Sequence, residues 1–103
     1  MWAQLIKMRV KPEREQDLPG LMAQMQAMEQ PGSGLIRTMT MRDQNDPSAL
    51  YVMVVFDTEE QARAREQDPR RQEDMKVAQA KMAEIFDGAP EFIDLDVVAE
   101  VSP

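Results

Sequence analysis

Three observations predict an α+β fold of the ferredoxin-like kind, a βαββαβ antiparallel sheet with its helices on one face. Apolar and polar residues alternate near both ends of the chain, over residues 2–10 and 92–101. Helical periodicity recurs twice, over residues 13–30 and again beyond Thr58, and two further strand-like runs lie between these stretches, separated by turn residues. The order strand, helix, strand, strand, helix pair, strand is the split β-α-β arrangement, whose right-handed crossovers put both helical layers on the same side.

In residues 2–10, Trp2, Ile6, Met8 and Val10 share one parity and Lys7 and Arg9 the other, as in a strand with unequal faces. Pro12 ends that strand. Leu18, Leu21, Met22, Met25 and Met28 then recur at three- and four-residue spacing and predict an amphipathic helix over residues 13–30. It is expected to be continuous but kinked at Pro19-Gly20, where proline removes a backbone hydrogen bond at a cost of about 3 kcal/mol. Pro31-Gly32-Ser33-Gly34 stops it.

Residues 35–42, rich in Thr and Met, read as the second strand, and the turn-forming run from Asp43 to Ser48 leads into a hairpin. The third strand, residues 50–56, is apolar throughout, which calls for cover on both faces and a central place in the sheet. Thr58-Glu59-Glu60-Gln61 is a capping box, with the Thr58 hydroxyl accepting from a first-turn amide and Gln61 reaching back. Asp68-Pro69 starts the next helix; Met75, Ala78, Met82, Ile85 and Phe86 are its stripe, and Gly88 and Pro90 close it. Residues 92–101 make the last strand, with Ile93, Leu95, Val97, Ala99 and Val101 on one side and Asp94, Asp96 and Glu100 on the other.

A chain of 103 residues fills one hydrophobic core, so residues 1–103 are read as one domain. With 43% hydrophobic and 30% charged residues it is neither a disordered chain nor a membrane-embedded one. A net charge of -7 argues against binding to nucleic-acid phosphates or anionic membrane surfaces. The sequence has no Cys and no His, which removes disulfides, thiol nucleophiles, imidazole bases, haem ligands and the usual zinc sites, so no cofactor and no metal are expected. No stretch approaches the ~20 apolar residues of a membrane span and no basic-then-apolar leader opens the chain, from which a cytoplasmic location is expected.

In the split β-α-β topology the first and third strands are central and the last lies beside the first. Lys7 and Arg9 are then expected to face Asp94 and Asp96 across the bare side of the sheet as an ion-pair seam. Tyr51, Met53 and Val55 would share that side, and an exposed sheet with an apolar centre predicts a homodimer through the open face.

Several patterns resemble the antibiotic biosynthesis monooxygenase-like family of dimeric α+β barrels. They are the strand-to-helix join Val10-Lys11-Pro12, the Gly-rich lead into the second strand at Pro31-Gly32-Ser33-Gly34, and the segment from Phe56-Asp57-Thr58 through Ala62 to Asp68-Pro69. The resemblance covers nearly the whole chain. It implies a dimer whose two sheets form a barrel, with a pocket in each subunit between sheet and helices, and it includes cofactor-independent oxygenases of aromatic polyketides, quinol oxygenases and haem-degrading enzymes. Many members place a Trp at the end of the third strand, and the haem-degrading ones a His on the following helix and an Asn on the first strand. Here Phe56 and Arg65 stand at the first two positions and residues 2–10 contain no Asn, so the haem-degrading route does not fit.

The candidate site residues follow from this. Tyr51, the only Tyr, could donate to a bound oxyanion, and Arg65 could stabilise a developing negative charge; Tyr51 on a central strand is more ordinarily a packing or interface residue. Phe56 with Met25, Met28, Met75 and Met82 would line an adaptable apolar pocket for a flat aromatic molecule, although methionines on such stripes are more often core filling. Arg63, Arg65, Arg70 and Arg71 bracket the break between the later helices and could clamp an acidic ligand, or be a solvated, internally paired surface. Trp2 could stack on a ligand or cap the core edge. Two functions are left open. One is a cofactor-independent monooxygenase-like protein acting on or binding an apolar aromatic or quinol small molecule. The other is a noncatalytic dimeric barrel that binds a ligand or serves as an interaction module.

Overall fold

Alternating side chains build a four-stranded antiparallel sheet from β1 (Trp2–Arg9), β2 (Leu35–Arg42), β3 (Ala49–Phe56) and β4 (Glu91–Asp96), in the order β2-β3-β1-β4. The computed structural model describes residues 1–103. The apolar strands β1 and β3 take the central places, as their composition demands. Their register sets Trp2 against Phe56, Leu5 against Met53 and Met8 against Leu50. Three helices, α1 (Leu18–Ala27), α2 (Glu59–Glu66) and α3 (Pro69–Ile85), complete the ferredoxin-like α+β fold.

The helices cover one face. Leu18 and Leu21 of α1 and Ile85 of α3 pack on Val10, Leu50 and Phe86, with Met8, Met22, Met25 and Met82 around them. Ala62 of α2 closes a second cluster over Trp2, Val52, Val54 and Phe56. β3 therefore alternates, with Leu50, Val52, Val54 and Phe56 buried and Tyr51, Met53 and Val55 half-buried on the bare side. Within this chain only one face of β3 has cover, although all of its residues are apolar.

Three local expectations are corrected. The helix over residues 13–30 is not one kinked α-helix: residues Pro12–Asp17 form a 3₁₀ helix and α1 starts only at Leu18. Pro19 thereby falls in the first turn, where its missing N–H has no intrahelical partner to lose, so the kink penalty never arises. The last strand ends at Asp96 and not at residue 101, because β1 begins at Trp2 and offers no further partner; Val97 makes one last bond to the Met1 carbonyl, at 3.3 Å. The cap at Thr58 accepts from the Gln61 amide at 3.1 Å as expected, but the Gln61 side chain meets the Thr58 hydroxyl instead of reaching back to its amide.

The Lys7 and Arg9 seam with Asp94 and Asp96 does not form. Antiparallel register sets Asp94 opposite Gln4 and Asp96 opposite Trp2, on the helix-bearing side, while Lys7 stands opposite Glu91. Arg9 lies beyond the end of β4 and pairs with Asp46 at 3.1 Å. Consequently Ile93 and Leu95, not the two aspartates, face the bare side. One row across that face reads Met39, Met53, Leu5, Ile93, an apolar residue from every strand.

Ile85 is 1% exposed in the α1–α3 core, whereas Val77 on the same helix is 62% exposed. Ile85→Ala is expected to cost about 2–5 kcal/mol in urea unfolding, and Val77→Ala to stay within about 0.5 kcal/mol. Equal effects of the two would contradict this placement of α3.

Candidate functional site

The four-residue stretch Pro31–Gly34 turns the chain sharply between α1 and β2, and Gly34 has φ of +84°. A Cβ at Gly34 would collide with the Gln61 side chain, so glycine there lets α2 sit close to the turn. A cleft of about 240 Å³ opens where the end of α1, this turn, α2 and the start of α3 meet. Met28, Glu29, Ser33, Gln61, Arg65 and Arg71 are among its walls.

Arg65 is the centre of the site. Its guanidinium lies 5.2 Å from the centre of the Phe56 ring and forks onto Glu29, with Nε at 3.1 Å from Oε2 and Nη2 on Oε1. Arg71 approaches the same Glu29 oxygen at 3.4 Å. The side chains of Arg65 and Arg71 are only 15% and 12% exposed. Burial, and next the neighbouring positive charge of Arg65, hold the Arg71 pKa below its ordinary value. Arg70 turns instead to Asp68 at 3.1 Å; that hydrogen bond and the Arg70 amide depress the Asp68 carboxyl. Asp68 also caps α3 by accepting from the Arg70 amide at 2.9 Å.

Of the residues expected to form a site, Phe56 and Arg65 are brought into contact and Met28 joins Arg65 at the cleft. Met25 and Met82 pack against the α1–α3 core, and Met75 is half-buried on α3 away from the cleft lining. Tyr51 is on the opposite face of the sheet from Phe56, by strand parity. Trp2 is 4% exposed, with its ring centre 6.2 Å from that of Phe56 and Arg63 over its face at 5.0 Å, so it offers no free ring surface. No group of acidic side chains is arranged to hold a metal ion.

Glu29 was not among the expected residues. A signal for it exists in the sequence: a carboxylate just past the C-terminal end of a helix opposes the helix dipole and needs positive partners from elsewhere in the fold. Ser33 and Gln61 likewise become site residues only through the turn that brings them together.

Over residues 1–81 the sequence matches the family model described as antibiotic biosynthesis monooxygenase. Among curated proteins no sequence matches. Solved structures share the fold. A Nitrosomonas europaea protein of unknown function is 19% identical, with 99% of this chain and 93% of that chain covered and a TM-score of 0.74. Rv0793 from Mycobacterium tuberculosis is 13% identical over 98% of each chain, again with a TM-score of 0.74. A protein bearing the name antibiotic biosynthesis monooxygenase is 13% identical, with 96% and 100% covered and a TM-score of 0.70. At such identities the likeness is one of fold.

At the β4 edge of the sheet, Asp94 accepts from Gln4 at 2.9 Å and from Arg63 at 2.8 Å, and these bonds, that of Gln4 first, depress its pKa from the usual 3.8. A carboxyl with a lowered native pKa stabilises the fold above its unfolded value and loses that contribution as pH falls through the native one. Asp94→Asn is therefore expected to lower the thermal midpoint at pH 7 and to converge with the unaltered protein well below pH 3.8. A deficit that persisted in acid would show that packing, not charge, is what Asp94 supplies.

Proposed function

Since the chain belongs to the antibiotic biosynthesis monooxygenase family, we propose that it binds a small aromatic or quinol-type molecule in the Arg65 cleft and oxidises it with molecular oxygen without a bound cofactor. The observation that carries this reading is the Arg65 guanidinium, held over the buried Phe56 ring and lining, with Arg71, a cleft that Phe56 itself does not border. An electron-rich phenol or quinol reacts with oxygen as its anion, and a guanidinium held in place before the ligand arrives favours that anion. In such a reaction a ring C–H of the quinol becomes C–OH while the quinol is oxidised to the quinone, one oxygen atom entering the product and the other leaving as water, with all the electrons drawn from the substrate. The roles left to this protein are binding, orientation and stabilisation of charge, by Arg65 first and Arg71 second, with Met28 as an apolar wall.

The same proposal includes a homodimer closed through the bare sheet face. The apolar row Met39, Met53, Leu5, Ile93 supports it, flanked by a row holding Arg37 and another holding Lys7 and Glu91. Two such faces related by a twofold axis would bury the row against its copy and leave the charges at the rim. Tyr51 then serves the interface and not the chemistry. A ligand-binding dimer without turnover is the second reading, favoured by Phe56 and Arg65 at the positions where the resemblance implies Trp and, in the haem-degrading members, His.

Oxygen uptake with a panel of hydroquinones and polyphenols, after metal removal, is expected to fall at least tenfold in Arg65→Ala and to be unchanged in Tyr51→Phe. Binding with no oxygen uptake by the unaltered protein would select the noncatalytic reading. In sedimentation the chain should run near twice 11.8 kDa, and Met53→Glu should shift it toward monomer, since association would bury an unpaired charge. A dimer indifferent to Met53→Glu would put the interface elsewhere.

A further inference from the structure

The arginine arrangement at the cleft is unbalanced. Three arginines and two carboxylates line it, one formal positive charge in excess on a chain of net charge -7. Arg70 and Asp68 satisfy one another, which leaves Arg65 and Arg71 sharing the single carboxylate of Glu29. Arg65 takes both oxygens of that carboxylate, and Arg71, the less exposed of the two, keeps one contact at 3.4 Å out of five possible N–H donors. The remaining donors of Arg71 have no anionic partner. Gln30, Ser33 and Gln61 add neutral polar groups to walls whose apolar part comes from Met28, Pro31 and Ala64.

We infer that the cleft is an oxyanion-recognition site, in which Arg71 with Arg65 binds the carboxylate or phosphate group of a compact organic ligand and Glu29 holds the two guanidiniums in position when the site is empty. A planar fork fits either group through paired N–H bonds, as a point charge would not. The volume lies below the ~300–1,000 Å³ of sites for drug-sized ligands, so the body attached to the anion is about the size of a single ring. This assignment rests on the reading of the Arg65 cleft as the ligand site, and it adds the charge class of the ligand and the role of Arg71.

Calorimetric titration with benzoate, phenyl phosphate and the neutral benzyl alcohol tests it. One or both anions should bind and the alcohol should not, with affinity falling as salt is raised. Arg71→Gln should weaken anion binding by roughly tenfold or more. Glu29→Gln should strengthen it, because removal of the competing carboxylate frees both guanidiniums; it should also enlarge the rise in thermal midpoint that the anion produces. A purely structural ion-pair cluster predicts the opposite for Glu29→Gln, a loss of stability with no gain in binding. Tighter binding of benzoate identifies the natural group as a carboxylate, and tighter binding of phenyl phosphate identifies a phosphate ester. Failure of both anions to bind, equal binding of benzyl alcohol, or Glu29→Gln without a gain would overturn the inference. Because binding is read without turnover, an anion that binds but consumes no oxygen leaves this site standing and removes only the oxygenase reading.

Discussion

The antiparallel pairing of β3 with β1 decides on which side of the sheet every functional group of this chain lies. With Trp2 against Phe56 and Leu5 against Met53, the even-numbered residues of both strands turn toward the helices and the odd-numbered ones away. A slip of one residue would send Leu50, Val52, Val54 and Phe56 to the bare face and leave Ala62, Leu21 and Ile85 without a core. The register is thus held by the burial of those side chains, and the site inherits it. Phe56 is the last residue of β3, and only in this parity does its ring lie under Arg65.

Much of this was legible in the amino-acid pattern, and the parts that were not share a cause. Strand parity, the Thr58 and Asp68 caps and the stop at Pro31–Gly34 are local properties, decided by residues within a turn of one another. The alternation of Ile93 and Leu95 with Asp94 and Asp96 is also local, but it cannot say which side of the sheet either set occupies. Attraction to Lys7 and Arg9 suggested the bare side for the aspartates. The partners they find are Gln4 and Arg63, reached only because β4 runs antiparallel to β1 and α2 overhangs its edge. The start of α1 failed for a different reason: Pro19 tolerates the first turn of a helix as well as it breaks the middle of one, and the residues before it can wind as 3₁₀ without any change in apolar spacing.

The cleft was half visible. The arginines around the α2–α3 break stand out in the sequence, and their neighbouring carboxylates suggest a solvated, paired surface. That description fits Arg70, 71% exposed and bonded to Asp68 at the start of its own helix, and in part Arg63, 39% exposed, which holds Glu59 and Glu66 on α2 and also reaches Asp94 on β4. Arg65 and Arg71 differ in being shielded where they reach across to Glu29, 15% and 12% exposed. Equal sequence context, unequal burial: the distinction is tertiary, and an ion pair's chemical meaning depends on it.

Glu29 ties these points together. Two guanidiniums brought this far out of water, with no counter-charge, would repel one another and lose hydration at a cost of several kcal/mol each. One carboxylate relieves most of that, and the end of α1 supplies it against the preference of the helix dipole for a cation there. A second carboxylate would have neutralised the pair and closed the cleft to anions; none would have left two guanidiniums facing each other without a counter-charge in the empty site. A single shared acid leaves the arginines ordered but not saturated, the condition under which an incoming oxyanion gains prepositioned donors without first displacing a full set of partners. On the far side of the sheet the apolar row has no part in this balance, so self-association through it would leave the cleft open in each copy.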